Sequence, residues 1–371
     1  ATNCRSLIAL SAKNRYVLSG TIFAEPKVEK ILGYYCIINE ETFPKTLPDA
    51  SAYIKSRRYG GYERSMIVRD KIITFVKPKI NEFIISHELT YEETKLYLAM
   101  KELLLIINSE VKRFKKENDI RNAKLYRGYL LIMIIYIRQS IVSPILPIAN
   151  AMLNHVDNVK KSILSSKMLN LINNLNLLEW LNNSNNLVSS RINEVLKIVN
   201  KHQGEKLIIF TEYLSVVKLI RFLIPAKFNQ LTISANMNLE ARKEVLQRFD
   251  DEPDNILVLT YKIGSTGLNL QTCRNMILVD LCWNAGHHTQ AVARILRPGT
   301  LHRELNIYYL ISNTGIEKAL LEKNKTKLEL SEDLKSSGST KKITTMKLDE
   351  VLQIIEKDTN ISTLKFNHTF K

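Results

Sequence analysis

Glycine, proline and cysteine are scarce in this chain: its 371 residues include 12, 9 and 4 of them. The scarcity of glycine and proline argues against a β-sandwich or a disordered chain and favours a helix-rich α/β protein. The cysteines lie far apart and form no C-x-x-C pair, so the sequence excludes a cysteine-based metal site and a disulfide framework. We therefore expect a reducing compartment and no bound structural metal.

Long apolar runs are also missing. The longest, residues 129–137, is bracketed by Arg127 and Arg138 and is too short to cross a bilayer. We expect it to form a buried helix, and we expect no membrane partner. No segment has the pattern of a signal peptide. The chain begins with Ala1 rather than Met, so we expect it to be a piece of a longer protein.

No G-x-x-x-x-G-K-[ST] loop occurs in the sequence. Such a loop holds nucleotide phosphates with its backbone amides and its lysine. Residues of this chain that bind a nucleotide phosphate would therefore do so without the loop that usually holds it.

Positive charge, by contrast, is abundant, with a net charge of +16 and a pI near 9.5. A surface this basic concentrates polyanions, and nucleic acid is the usual partner. An AT-rich coding sequence, which inflates lysine and asparagine, explains the composition equally well. The charge alone leaves both explanations open.

After residue 190, short Ile/Leu/Val runs alternate with amphipathic segments. Such apolar strands are buried on both faces, so the alternation predicts a parallel sheet covered by helices. The predicted strands are 207–210, 230–233, 256–259, 276–280 and 305–311. The predicted helices are 190–200, 213–223, 239–249, 287–297 and 315–328.

The region before residue 190 is mostly helical in pattern. Thr90 and Glu93 form a capping-box signature that opens a helix reaching about residue 118. A second helix, 122–140, should end before Pro144, because the residue preceding a proline resists the α region. Residues 16–21 predict a strand, 336–340 a linker and 347–357 a short terminal helix.

Three segments follow predicted strands, where ligands bind in open parallel sheets. In the first, 260–270, Gly264 and Gly267 allow a backbone to approach a phosphate or ribose closely, and Lys262 suits a nucleic-acid backbone. An ordinary turn is the simpler explanation of this glycine pair taken alone. The second, 280–284, taken alone is better explained by a core tryptophan beside a helix cap than by a ligand site.

The third segment places Gln290, Arg294 and Arg297 at positions i, i+4 and i+7, on one face of a helix. Guanidinium groups are planar, permanently charged and able to grip phosphate oxygens with paired hydrogen bonds. Two of them on one face suit a polyanion, although a solvated basic face explains two arginines taken alone.

In order and spacing these segments resemble the second motor lobe of the Swi/Snf-related ATPases of helicase superfamily two. Residues 260–270 are similar to motif V, 280–285 to the D-P-x-W-N-P box, and 290–300 to motif VI, Q-A-x-x-R-x-x-R-x-G-Q. Further likenesses to the family occur at 206–210, 242–249 and 314–317, and looser ones at 14–21, 88–97 and 137–140. Both prolines of the box are replaced, and Thr300 replaces the final glutamine. These departures fit a divergent member of viral or mobile-element origin.

The resemblance implies an α/β fold with RecA-like lobes. Residues 1–86 correspond to the C-terminal remnant of a first lobe, and 87–189 to a helical inter-lobe region. Residues 190–330 correspond to the second lobe, the helicase C-terminal domain, and 331–371 to a linker and terminal helix.

The resemblance also implies roles for single residues. Arg297 corresponds to the arginine finger, Arg294 to its neighbour on the phosphate, and Gln290 to a residue that couples lobe closure to DNA. ATP and Mg²⁺ would be held mainly by a first lobe whose nucleotide loop is missing here. We therefore expect the chain to be inactive as an ATPase by itself.

The cleft and the DNA contacts follow in the same way. Gly264, Gly267 and Asn269 would line the nucleotide cleft, whereas Lys262 and Thr260 would contact DNA. The implied partner is double-stranded DNA, within nucleosomes or transcription or repair complexes. The implied location is the nucleus, or a viral factory or the cytoplasm for a virus-encoded protein. The alternative is a non-catalytic remnant that binds DNA or a partner protein.

Overall fold

The computed structural model describes residues 78–156, 163–264, 267–283, 285–297, 300, 302–324 and 348–358. The strand expected at 16–21, the likeness at 14–21 and the linker at 336–340 lie outside these residues. The chain forms two compact units. The larger contains Pro78–Leu281, Ala291–Leu320 and Leu348–Lys371, and the smaller contains Ala1–Lys77, Cys282–Gln290 and Leu321–Lys347.

The larger unit is built on a six-stranded sheet in the order β1-β6-β5-β2-β4-β3, in which every neighbouring pair is parallel. The strands are β1 Lys79–His87, β2 Leu207–Thr211, β3 Gln230–Thr232, β4 Ile256–Thr260, β5 Asn275–Leu278 and β6 Glu304–Ser312. The five strands predicted after residue 190 are confirmed, as is the parallel fold class.

The predicted helices are also confirmed within the described residues. The helices are α1 Tyr91–Lys116, α2 Ile120–Val142, α3 Ile145–Val156, α4 Ile163–Asn174, α5 Leu177–Leu181, α6 Ser190–Lys201, α7 Leu214–Leu223, α8 Leu239–Asp251, α9 Tyr261–Gly264, α10 Ala285–Ile295 and α12 Leu348–Glu356, with α11 at 315–324. The capping box of α1 is present: the Glu93 amide donates to Thr90 Oγ1 at 3.4 Å, and the Thr90 amide donates to Glu93 Oε2 at 2.8 Å.

Helix α2 is the one described helix that is long and apolar enough to cross a membrane, with a mean hydropathy of 1.2 in its most apolar window. However, 56% of that window is buried inside the protein. Leu130, Met133 and Ile137 are at most 1% exposed, whereas Leu131 and Ile135 on the other face are 52% and 42% exposed. The expected buried helix is therefore buried on one face only.

Strand β1 is an edge strand of the sheet. Residues Lys79–His87 pair along their whole length with Glu304–Ser312 of β6. The Asn81 side chain donates to Asn306 Oδ1 at 3.2 Å across this pair. A segment far from β6 in the chain thus completes the sheet. The predicted domain boundaries stay predictions.

One hydrophobic core fills the space between the sheet and helices α6 and α7. Each of these elements contributes buried apolar side chains to the core. They include Ile192, Val195, Ile209, Val216, Ile220 and Val258. Since β2 and β4 are buried along their full length, the centre of the sheet is fixed and its carboxyl edge is positioned rigidly.

A buried charged cluster, defined here as the arginine cluster of His87, Arg191, Ser312 and Glu317, joins the carboxyl ends of three strands. Arg191 of α6 is fully buried, and its Nη1 donates to Glu317 Oε1 at 2.8 Å and to the Val279 carbonyl at 2.9 Å. Arg191 Nη2 forms a second bond to Glu317. Glu317 also accepts from the Ser312 amide at 2.7 Å. The cluster thus ties α6 and α11 to β5 and β6.

Protonation in the arginine cluster is set by burial and by the ion pair. Burial and the Arg191 charge lower the pKa of His87 to about 3, although Glu317 opposes this. His87 is therefore neutral, and its Nε2 accepts a hydrogen bond from Arg191 Nε at 3.3 Å. Burial alone would raise the pKa of Glu317, but the Arg191 charge and hydrogen bonds hold it below its ordinary value.

Candidate functional site

The carboxyl ends of β2 and β5 form the topological switch point of the sheet, because their chain connections lead in opposite directions. Ligands of open parallel sheets often bind in this crevice. Here protein side chains occupy it. Thr211 Oγ1 donates to Asp280 Oδ2 at 2.6 Å, and the Glu212 amide donates to Asp280 Oδ1 at 2.8 Å.

Arg138 of α2 fills the remainder of the crevice. Its Nη2 donates to the Leu281 carbonyl at 2.5 Å and to Glu212 Oε2 at 3.0 Å, and its guanidinium lies 5.6 Å from the Tyr213 ring centroid. Burial alone would lower the pKa of Arg138, but Tyr213, Glu212 and Asp280 raise it. Burial raises the pKa of Asp280 to about 6. The polar side chains at this switch point are thus bonded to one another.

Sequence reasoning missed the role of Arg138. The likeness to the family at 137–140 predicted no functional residue there. An arginine within an apolar helix was the available signal, because a buried cation requires partners. Its partners come from two distant strand ends and could not be identified from the sequence.

The segment after β4 begins with the short helix α9. Its Gly264 is buried, and a Cβ atom built there would lie 2.3 Å from Phe210 Cε1. The Phe210 ring is stacked on Tyr261, with centroids 5.5 Å apart, and the Tyr261 hydroxyl donates to the Asp280 carbonyl at 2.8 Å. The close contact with Phe210 therefore requires glycine at position 264. Any role of Gly264 in a nucleotide cleft rests on its backbone.

Gly267 differs from Gly264. Its φ of +89° lies in the left-handed region, and a Cβ atom there would meet nothing within 4 Å. Gly267 and Asn269 are both exposed. Of the two glycines predicted to approach a ligand, Gly264 is thus a core position and Gly267 is an open position whose backbone conformation favours glycine.

We expect Gly264→Ala to lower the free energy of unfolding by about 2–3 kcal/mol, because the buried Phe210 ring has no room to move. Gly267→Ala should cost about 1–2 kcal/mol through its backbone conformation alone. Gly128→Ala is the control, since it lies within α2 and its Cβ would meet nothing within 4 Å; it should stabilise by about 0.5–1 kcal/mol. Urea unfolding of the three variants measures these changes in the free energy of unfolding. A Gly264→Ala variant that is no less stable than the Gly128→Ala control would refute the packing account.

The segment 269–272 is bonded directly to the arginine-bearing segment. The Leu270 amide donates to the Arg294 carbonyl at 3.1 Å, and Thr300 Oγ1 donates to the Gln271 carbonyl at 3.2 Å. Asn269 is thus one residue from a hydrogen bond to the backbone of Arg294. The structure brings two of the three predicted segments together at one place.

The charge of Arg297 acts on Arg294, three residues before it in the chain. Both are half-buried, and burial followed by the Arg297 charge lowers the pKa of Arg294. The amide of Arg297 donates to the Ile295 carbonyl at 3.1 Å, and its Nε donates to the Ala293 carbonyl at 3.3 Å. Two like charges held together repel, and an anion placed between them would remove that repulsion.

Helix α10 ends at Ile295, two residues before the predicted end at 297. Arg297 therefore lies in the turn after the helix and not on its i+7 position. The cause is Pro298, because the residue before a proline is pushed out of the α region. Gln290 lies one helical turn before Arg294 within α10, as predicted.

The two predicted DNA contacts differ in accessibility. The Lys262 side chain is exposed on α9, directly after β4. Thr260 is only 9% exposed at the end of β4. Of this pair, Lys262 is the residue that a macromolecule can reach.

Residues 190–299 match the family model of the helicase conserved C-terminal domain. The chain is 29% identical over 147 residues to an uncharacterized ATP-dependent helicase of Schizosaccharomyces pombe, covering 38% of this chain and 14% of that protein. It is 27% identical over 140 residues to a RAD54-like DNA repair and recombination protein of Homo sapiens, covering 37% and 19%. It is 27% identical over 145 residues to RAD54 of Saccharomyces cerevisiae, covering 38% and 16%.

The chain thus spans between 14% and 19% of the length of these relatives. Among solved structures, the C-terminal part of the Fun30 ATPase domain is similar, with a TM-score of 0.52 and 22% identity over 75% of this chain and 98% of that chain. This likeness shows the fold, a RecA-like parallel sheet surrounded by helices. Residues 190–299 are therefore a helicase C-terminal domain, and the chain is similar in sequence to RAD54 and RAD54-like DNA repair and recombination proteins and in fold to the C-terminal part of the Fun30 ATPase domain.

Proposed function

We propose that this chain supplies the second motor lobe of an ATP-dependent DNA translocase and completes an ATP site that another lobe holds. One observation carries the proposal. Arg294 and Arg297 are neighbours, and the backbone of Arg294 is bonded to Leu270 of the glycine-containing segment. The backbone bond supports a common site for these cations and the segment with the exposed Gly267, which follows the carboxyl end of β4.

In the proposed mechanism, closure of the lobes brings the two guanidiniums to the γ-phosphate. Negative charge on the phosphoryl oxygens and the leaving oxygen must be stabilised during transfer, and fixed positive charge does this without reorganisation. Arg297 would act as the finger, because the turn after α10 holds it while leaving its side chain partly exposed. Arg294 would contact the same phosphate from the end of the helix.

The remaining residues would position the nucleotide and the lobe. Gly267 and Asn269, both exposed, would face the nucleotide, and Gly264 would shape this segment by packing on Phe210. Gln290 would link closure to DNA. ATP and Mg²⁺ would be held mainly by the other lobe, where the metal neutralises phosphate charge.

Lys262 would contact the DNA backbone from α9, with Thr260 setting its position at the end of β4. Phosphate contacts give affinity without reading sequence, which suits a protein that moves along a duplex. The partner would be double-stranded DNA, within nucleosomes or transcription or repair complexes in the nucleus. Residues 87–189 would form the inter-lobe region, 190–330 the second lobe and 331–371 the linker and terminal helix.

The test compares the 371-residue chain with a protein that joins it to a P-loop-containing lobe of a Swi/Snf-related ATPase. We expect DNA-stimulated ATP hydrolysis from the joined protein and none from the chain alone. Hydrolysis by the chain alone would refute the claim that its ATP site is only half present.

A second candidate is a non-catalytic DNA- or partner-binding protein. The absence of a G-x-x-x-x-G-K-[ST] loop from these 371 residues and the net charge of +16 favour it. It predicts that the joined protein binds DNA but does not hydrolyse ATP, which is the opposite of the result expected above.

A further inference from the structure

A basic cluster lies where α1 turns into α2, away from the residues considered so far. The hairpin tip, residues 111–127, contains seven basic residues and two acidic ones. The basic residues are Lys112, Arg113, Lys115, Lys116, Arg121, Lys124 and Arg127, and all of them are exposed. A net charge of +5 therefore resides on 17 residues (7 minus 2).

The few acidic groups nearby are already used within the hairpin. Asp119 caps α2 by accepting from the Asn122 amide at 3.0 Å, and this bond lowers its pKa. Glu110 and Glu117 both pair with Arg113, at 2.7 and 3.8 Å. Within the described part of the chain, Arg113 is the only one of the seven that forms an ion pair. The other six charges are available to an external polyanion.

The hairpin tip is held rigidly by aromatic contacts. Phe114 of α1 lies 5.1 Å from Tyr126 of α2, and Tyr126 lies 5.3 Å from Tyr129, centroid to centroid. Between the helices, Asn118 adopts a φ of 55°, and the Asp119 amide donates to the Phe114 carbonyl at 2.9 Å. The cations therefore project from a fixed scaffold, which reduces the entropy lost on binding.

The spacing of the cations suits the phosphates of a duplex. Arg121, Lys124 and Arg127 recur every third residue and cover about 9 Å along α2. Lys112 and Lys116 lie one turn apart on α1, which packs on α2 through Phe114 and Tyr126, and packed helices have axes about 8–10 Å apart. Duplex DNA carries one charge per roughly 1.7 Å of its axis. A patch of this size meets several phosphates at once.

We propose that the hairpin tip binds the phosphate backbone of double-stranded DNA, as a second contact besides Lys262. The inference rests on the proposed translocase function, because it takes its substrate from there. A second contact on the same protein raises the effective concentration of the first. The hairpin tip would thus retain the duplex while the contacts near the ATP site open and close.

The experiment measures binding of a fluorescently labelled duplex to the 371-residue chain by anisotropy over a range of salt concentrations. The test variant combines Lys115→Glu, Lys124→Glu and Arg127→Glu. The matched control combines Lys218→Glu, Arg221→Glu and Lys227→Glu, which changes the net charge equally but alters α7 and the loop after it. An alanine version of the test variant, at the same three positions, covers the case in which the glutamates disturb folding.

We expect the hairpin variant to bind about 10- to 100-fold more weakly at about 0.1 M salt and to reduce the salt slope by about 2–3, since each lost phosphate contact contributes about 0.9. The control should change much less. Equal losses in both variants, or unchanged binding in the hairpin variant, would overturn this inference and leave the translocase proposal standing. A wild-type chain that does not bind duplex DNA would overturn both this inference and the translocase proposal.

Vesicles containing phosphatidylserine form the last arm, because α2 also carries exposed apolar residues. If the wild-type chain binds these vesicles, and the hairpin variant loses vesicle binding but keeps duplex binding, the hairpin tip is a membrane contact. That outcome would also overturn the inference.

Discussion

Replacing Arg297 by alanine is expected to lower kcat for DNA-stimulated ATP hydrolysis by about three orders of magnitude or more, within the range that arginine fingers supply. The enzyme in question is the protein that joins this chain to a nucleotide-binding lobe. The physical reason is electrostatic. Charge grows on the phosphoryl group in the transition state, so a cation that meets it there stabilises the transition state more than bound ATP.

The split between kcat and KM distinguishes this role from simple binding. If Arg297 acts chiefly in the transition state, Arg297→Ala should lower kcat and leave KM nearly unchanged. Arg297→Lys should recover little, because lysine lacks the planar fork of donors. Arg294→Ala should affect both constants, since we propose that Arg294 contacts the phosphate of bound ATP as well as that of the transition state.

Arg303→Ala is the matched control. Arg303 is exposed and directly precedes β6, so it lies at the amino end of that strand, opposite the carboxyl edge. Its removal changes the net charge as Arg297→Ala does, and it should leave kcat unchanged. Similar losses in both variants would show that the effect reflects total charge and not a finger.

The second large effect is expected in folding, at the arginine cluster. Glu317→Gln should lower the free energy of unfolding by about 3–5 kcal/mol, because it leaves the fully buried Arg191 charge without its partner. The double variant Arg191→Met, Glu317→Leu should recover much of this loss, since replacing both charges removes the desolvation penalty as well as the attraction.

Urea unfolding at neutral pH measures these values, and Arg274→Met is the control. Arg274 pairs with Glu205 at 2.9 Å, but the two side chains are 49% and 34% exposed. A pair this exposed contributes about 0–1 kcal/mol. A loss from Glu317→Gln no larger than that of the control would contradict the account of the cluster.

The cluster also predicts a direction for pH dependence. The folded pKa of His87 is lowered to about 3 from 6.5. Its contribution to stability is therefore complete above about pH 6.5 and is lost as the pH falls towards 3. The lowered pKa of Glu317 acts in the same direction below about pH 4.5. Wild-type stability should fall on acidification, and it should fall less in the double variant.

Most of the sheet and its helices could be predicted from the sequence because their signals are local. Strands buried on both faces, such as Leu207–Thr211 and Ile256–Thr260, appear as continuous apolar runs. Strand β1 has no such signal. Its residues are mostly exposed, and its partner β6 lies more than 200 residues further along the chain. The sequence analysis predicted no strand at 79–87 for this reason.

At the candidate site too, features with a local signal could be predicted and contacts between distant segments could not. Helical spacing brought Gln290 and Arg294 onto one helix, and the comparison of motifs identified the segments that the structure joins through Leu270 and Arg294. Sequence reasoning did not find that Gly264 packs on Phe210 or that Arg138 fills the switch-point crevice. Both depend on contacts between segments that are far apart in the chain.

The most direct test of the central claim is single-turnover ATP hydrolysis by the joined protein that carries Arg294→Ala together with Arg297→Ala, at saturating ATP and DNA. The account predicts that ATP and DNA still bind and that the hydrolysis rate falls to that of the protein without DNA or below. Hydrolysis at the wild-type rate by this double variant would contradict the claim that these two arginines complete the ATP site.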